Sequence, residues 1–146
     1  MKLRKGFSLV EIVAVFAIIA IIGLAALARF SVMNEAARVA NLDTSFDHLV
    51  TATRLFQANN GGNLPTTLVE LQPFMEMGSP PAASIEALFQ RFQGPHTIAV
   101  ALNTVGGVTT ITASINNLQN NYTGRRGEMT TAAPGGVYTL TWTSTQ

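Results

Sequence analysis

Cysteine is missing from all 146 residues. That rules out disulfide staples, thiolate nucleophiles and cysteine-ligated metals, while saying nothing of the compartment, since a chain without thiols tolerates either redox poise. Charge is scarce as well, at 12% of residues against about a quarter in an average globular domain. The histidines are His48 and His96, and neither is set beside a nucleophile in a pattern that reads as catalysis. A phosphate-cradling glycine loop is also lacking. No enzymatic activity and no cofactor are therefore expected. The formal charge of +1 is misleading: three of the nine basic residues are Lys2, Arg4 and Lys5, and the rest of the chain sets six basic against eight acidic residues, a net charge of −2. Nucleic-acid binding needs a basic stripe or a stacking platform. Beyond Lys5 the basic cluster is Arg125-Arg126 between glycines, which reads as a solvated loop.

What the chain does have is a long apolar run behind a basic start. After Met1-Lys2-Leu3-Arg4-Lys5 and Gly6, the residues from Ile12 to Ala28 carry no charge, and Arg29 ends the run. With Phe7 to Val10 included, it reaches the roughly 20 residues that span a bilayer. One acid interrupts it, Glu11. A carboxylate at the centre of a spanning helix costs about 2.5–3.5 kcal/mol on insertion scales and less near an end, so Glu11 marks a functional partner, a positive charge. A secretory signal peptide cut at Ala26-Leu27-Ala28 would release a soluble binding domain beginning at Arg29. A plain anchor with its basic end inside is a further reading. Both leave Glu11 unexplained.

The string Lys5-Gly6-Phe7-Ser8-Leu9-Val10-Glu11 closely resembles the processing site of type IV prepilins and type II secretion pseudopilins. The resemblance covers about residues 5–28. It implies cleavage between Gly6 and Phe7 by a membrane prepilin peptidase, N-methylation of Phe7, and retention of the apolar helix in the mature protein. It further implies that Glu11 pairs with the Phe7 amine of a neighbouring subunit during assembly. That pairing is physically reasonable, because opposite charges attract strongly in a low-dielectric setting and an unpaired one there is costly. The chain departs from the family in having Ala28 where many members have a helix-softening proline, and in lacking the C-terminal disulfide of many pilins.

Past Arg29 the pattern turns amphipathic. Phe30, Met33, Ala37, Ala40, Phe46, Leu49, Val50, Thr53 and Phe56 recur at spacings of three and four, with Glu35, Arg38, Asn41, Asp43, Asp47, Arg54 and Gln57 largely away from them. Asn59-Asn60-Gly61-Gly62 reads as a stop. A continuous helix over 7–59 would measure about 80 Å. Thr67 and Glu70 have capping-box spacing for a short helix ended by Pro73 or Gly78. Ser84 suits the cap of a second helix with Ile85, Leu88, Phe89 and Phe92 on one face. Strands are predicted at 97–103, 108–116 and 137–143, with Gly106-Gly107 as a turn. Asn116 to Gly136 reads as an exposed loop; its Asn121-Tyr122-Thr123 matches a glycosylation acceptor, a pattern too short to be specific. Asp43, Asp47 and His48 read as a solvated face rather than a metal site. One acid after Glu86, Glu128, is too few for a hard cation, so a calcium-dependent major pseudopilin is not expected and the metal assignment is none.

The expected fold is α+β and type IV pilin-like: a long N-terminal helix packed on a small antiparallel sheet of three to four strands. The expected division is a leader at 1–6, a transmembrane and filament-core helix at 7–28, and a head at 29–146 containing the amphipathic helix 29–60 and a sheet within 97–143. The expected function is a structural subunit of a type IV pilus or pilus-like filament, with a type II secretion pseudopilin, or a minor or DNA-uptake pilin using Arg125 and Arg126, as alternatives. Expected partners are further copies and related pilins, the prepilin peptidase, an inner-membrane platform protein and an assembly ATPase. The expected location is the inner membrane, single-pass, before assembly and a periplasmic or extracellular filament afterwards.

Overall fold

The computed structural model describes residues 8–79, 81–91, 94–119 and 136–145. Helix α1 runs over Leu9–Asn59, a short 3-10 helix over Leu68–Phe74 and helix α2 over Ile85–Gln90, followed by strands β1 (Ile98–Val105), β2 (Val108–Leu118) and β3 (Gly136–Thr145). The described residues fall into two compact units that part between Asn34 and Glu35, within α1.

In the second unit, α1 is held to the sheet by an apolar face in strict helical phase. Val39, Leu42, Phe46, Leu49 and Val50 join Ile111, Ala113 and Ile115 of β2, Tyr138 and Leu140 of β3, Ile98, and Leu71, Ile85 and Phe89 in one core. The phase of Phe46 and Leu49 leads back through Leu42 and Val39 to Glu35, and not to Ala37 and Ala40, which are exposed. Phe30 and Met33 are exposed too. The stripe expected from residue type thus holds from Phe46 onward and is corrected before it: the buried position one turn ahead of Val39 is an acid. Glu35 is 5% exposed and accepts a hydrogen bond from the Gln119 amide. Asp43, also expected to face water, is half-buried and accepts from the Tyr138 hydroxyl at 2.8 Å. Each acid thus has a donor, as a carboxylate at a packed surface requires.

At its end, α1 closes as the two glycines dictate. Gly61 and Gly62 take φ of 64° and 88°, and the Gly62 amide donates to the Gln57 carbonyl at 2.8 Å, the wrap of a Schellman-type stop. The 3-10 helix departs from the expected cap. Thr67 makes no side-chain cap bond; the Thr66 amide and hydroxyl donate to the Glu70 carboxylate at 2.8 and 3.0 Å. Pro73 lies inside this helix, which ends at Phe74. Ser84 caps α2 as expected, accepting from the Ala87 amide at 3.1 Å.

The sheet is antiparallel in the order β1-β2-β3. Gly106 and Gly107, with φ of 60° and 77°, supply the two positive φ values of a type I′ hairpin and set Val105 opposite Val108. Strict alternation along β2 buries Thr109, Ile111, Ala113 and Ile115, and a register shift between Ile115 and Leu118 contains Asn117 at φ 64°. Gln90 joins α2 to β1, accepting from the Ile98 amide at 2.9 Å and donating to the His96 carbonyl at 2.7 Å. Each strand runs two residues past its expected end, while β1 starts one residue later than expected, β2 at the expected residue and β3 one residue earlier.

Leu49→Ala removes a fully buried side chain and is expected to lower the stability of the folded head by about 2–5 kcal/mol, measured by denaturant titration of the detergent-solubilised chain. The hydrogen bonds from Thr66, its backbone amide first, hold the Glu70 carboxyl below the ordinary value of 4.5. A depressed folded-state value gives stability that is present above 4.5 and lost as pH falls through the lower folded value. The Thr66 amide resonance should therefore stay fixed above that range and shift below it, and Glu70→Gln should abolish the shift.

Candidate functional site

The first unit is the helix surface from Leu9 to Asn34, and its chemistry is simple. Leu9, Phe16, Ile22, Leu27 and Phe30 are 79%, 67%, 63%, 68% and 61% exposed. An α-helix satisfies its own backbone hydrogen bonds, so its side chains alone decide which solvent it prefers. Over this stretch α1 is long and apolar enough to cross a membrane. A contiguous exposed surface of Ile, Leu, Val and Phe marks a site that lipid or another protein covers.

At the start of this surface stand Ser8 and Glu11. The Glu11 amide donates to Ser8 Oγ at 3.2 Å, and the Ser8 amide donates to Glu11 Oε2 at 2.8 Å. This is a reciprocal capping box, serine at the cap and glutamate three residues on, satisfying two of the amides that every helix leaves unpaired at its N-terminus. The string Ser8-Leu9-Val10-Glu11 carries that signature, a local role for the acid that the sequence reading missed by looking only for a cationic partner. The carboxylate therefore sits at the positive end of the helix dipole, where a negative charge is favoured. Gly6 and Phe7, the expected cleavage and methylation residues, lie outside the described residues, as do Arg125, Arg126, Asn121 and Glu128.

Two shallow apolar recesses mark this surface. One is bounded by Glu11, Ile12, Val15 and Phe16, the other by Ile22, Ala25, Ala26, Arg29, Phe30 and Met33. In the head, a small cleft of about 190 Å³ lies among Thr44, Ser45, His48, Met75, Glu76 and Leu88. Among the described residues no cluster of three or more His, Cys, Asp or Glu side chains is placed to hold a metal. Asp43 is engaged by Tyr138, and His96 Nδ1 lies 3.1 Å from the Asn116 carbonyl. The structure thus puts the charged and apolar features of the candidate site together at the start of α1 and assigns His96 and Asp43 to the packing of the head.

Residues 1–27 match the family model described as the prokaryotic N-terminal methylation motif, the prepilin-type signature of type IV pilins and pseudopilins. No curated protein and no solved structure matches the chain significantly. The motif supports a type IV pilin-like member, whether of a pilus or a pseudopilus, that assembles with other pilins after processing by a prepilin peptidase. It points to a structural subunit rather than an enzyme, and with the apolar helix it fits membrane anchoring before assembly.

Proposed function

We propose that this chain is a structural subunit of a type IV pilus or pilus-like filament, held in the inner membrane by residues 7–28 and polymerised through them. Residues 1–6 are the leader, removed between Gly6 and Phe7, and residues 29–146 form the head. The carrying observation is the carboxylate of Glu11 in the first turn of a helix whose apolar, exposed start lies within the methylation-motif match at residues 1–27. Cleavage before Phe7 creates a new amine four residues from that carboxylate. Within one chain the Ser8 amide occupies one Glu11 oxygen; a carboxylate has about four lone-pair sites, which leaves capacity for a neighbour's Phe7 amine.

Enclosed among apolar helices, an unpaired carboxylate or ammonium is costly, whereas the pair is tolerated, so the contact selects axial register more than it adds raw stability. The apolar surface lets lipid contacts be exchanged for helix contacts at little hydrophobic cost, with van der Waals packing between helices in their place. Successive heterologous contacts that do not close give an open helical polymer. A platform protein and an assembly ATPase supply the work of lifting subunits from the membrane, and the filament lies in the periplasm or outside the cell.

Glu11→Ala is expected to leave membrane insertion and leader removal unchanged and to abolish filaments, measured by shearing and electron microscopy beside an immunoblot for the processed chain. Normal filaments from this variant would contradict the pairing.

A further inference from the structure

We propose that Arg29 is a second assembly contact, its guanidinium pairing with the Glu11 carboxylate of a parallel copy displaced along the helix axis by about five turns. This rests on the filament reading above. Between Ser8 and Asn34 the chain has two charged side chains, Glu11 and Arg29. The interval between them is about five turns at 3.6 residues per turn, and about 27 Å at 1.5 Å per residue. A whole number of turns puts both on one face of α1, with an uncharged surface between.

Each charge adjoins one of the two apolar recesses. Val15 and Phe16 lie beside Glu11, and Ala25 and Ala26 beside Arg29. The two alanines keep the floor near Arg29 low, so a copy's bulkier first turns can approach there, as small residues allow between packed helices. Two copies at equal height set Glu11 beside Glu11 and Arg29 beside Arg29. Displacement by about five turns sets acid against base, and this complementarity selects a second copy as the occupant of the face.

The displacement is close to the roughly 30 Å apolar thickness of a bilayer, which gives the contact a direction. Glu11 is at the end of the helix next to the basic leader, so the copy offering Glu11 has already moved outward by nearly a membrane's depth. The copy offering Arg29 is still in the membrane, with its guanidinium at the outer surface. The pair thus links a resident subunit to one already lifted. Arginine suits the task, because its planar fork binds a carboxylate through two hydrogen bonds and remains charged in an apolar setting.

The lack of cysteine makes the register measurable by cross-linking. Val15→Cys combined with Met33→Cys places thiols about five turns apart on the same face, where the displacement sets one copy's Cys against the other's. In polymers from cells with a prepilin peptidase, oxidation is expected to give a ladder of dimers, trimers and higher species. Adding Arg29→Gln should lose the ladder, and adding Arg29→Lys should retain it. In the otherwise unaltered chain, Arg29→Glu should lose polymer and Arg29→Lys should keep it. Full polymer yield from Arg29→Glu, or polymers whose ladder is absent or indifferent to Arg29→Gln, would overturn the ion pair while leaving the filament reading intact. If the unaltered chain forms no polymer at all, the filament reading fails and the pair fails with it.

Discussion

An apolar helix surface that its own chain leaves in contact with solvent is the constraint on which the rest of this protein depends. From Leu9 to Met33 the large side chains are 43–79% exposed. Burying such a side chain contributes about 1.5–3 kcal/mol, so covering the whole surface is worth tens of kcal/mol. That is ample to hold a subunit in lipid, and equally ample to hold it against its own kind. Lipid and neighbouring helices are similarly apolar, however, so the transfer between them is nearly neutral in hydrophobic terms. What decides between the two states must come from directional contacts. Glu11 and Arg29 are the residues of this segment able to make charged ones.

The capping box gives Glu11 two roles in one position. Within the chain it satisfies the Ser8 amide and fixes where the helix begins. Between chains its remaining lone pairs have room for a cation, and in the proposed filament the residue that starts the helix would also set where a neighbour sits. The head solves a separate problem. Its sheet is rich in threonine, carries no charged residue in any of the three strands, and buries one face against Val39 to Val50 of α1. Two acids of that helix half find donors elsewhere in the head, Glu35 in the Gln119 amide and Asp43 in Tyr138. Anchoring Gln119 ties the end of β2 to α1 at the point where the chain enters the 120–135 segment.

Much of this architecture was legible in residue order. The long helix, its glycine stop, the Ser84 cap, the Gly106-Gly107 hairpin and the three strands all follow from local rules, and local rules hold where side-chain chemistry and geometry agree. Reading failed where they part. Ala37 and Ala40 look apolar and face solvent, whereas Glu35 looks solvated and is buried, because the Gln119 amide just past β2 compensates it. Phase taken from Phe46 and Leu49 would have found Glu35; residue type could not. Thr67 had the spacing of a cap and holds the N-cap position without a side-chain cap bond, while the Thr66 amide and hydroxyl donate to Glu70 instead. At the candidate site the sequence pointed to Glu11 through an intermolecular partner, and the structure adds the intramolecular one.

The central claim is that the apolar helix stays with the mature chain and begins at Phe7, which makes Glu11 an assembly residue. The direct measurement is the N-terminal residue and intact mass of the mature protein purified from membranes of cells containing a prepilin peptidase. The account requires a chain starting at Phe7 and heavier by one methyl group. A chain starting at Arg29 would contradict it, removing both Glu11 and the helix surface from the protein's function.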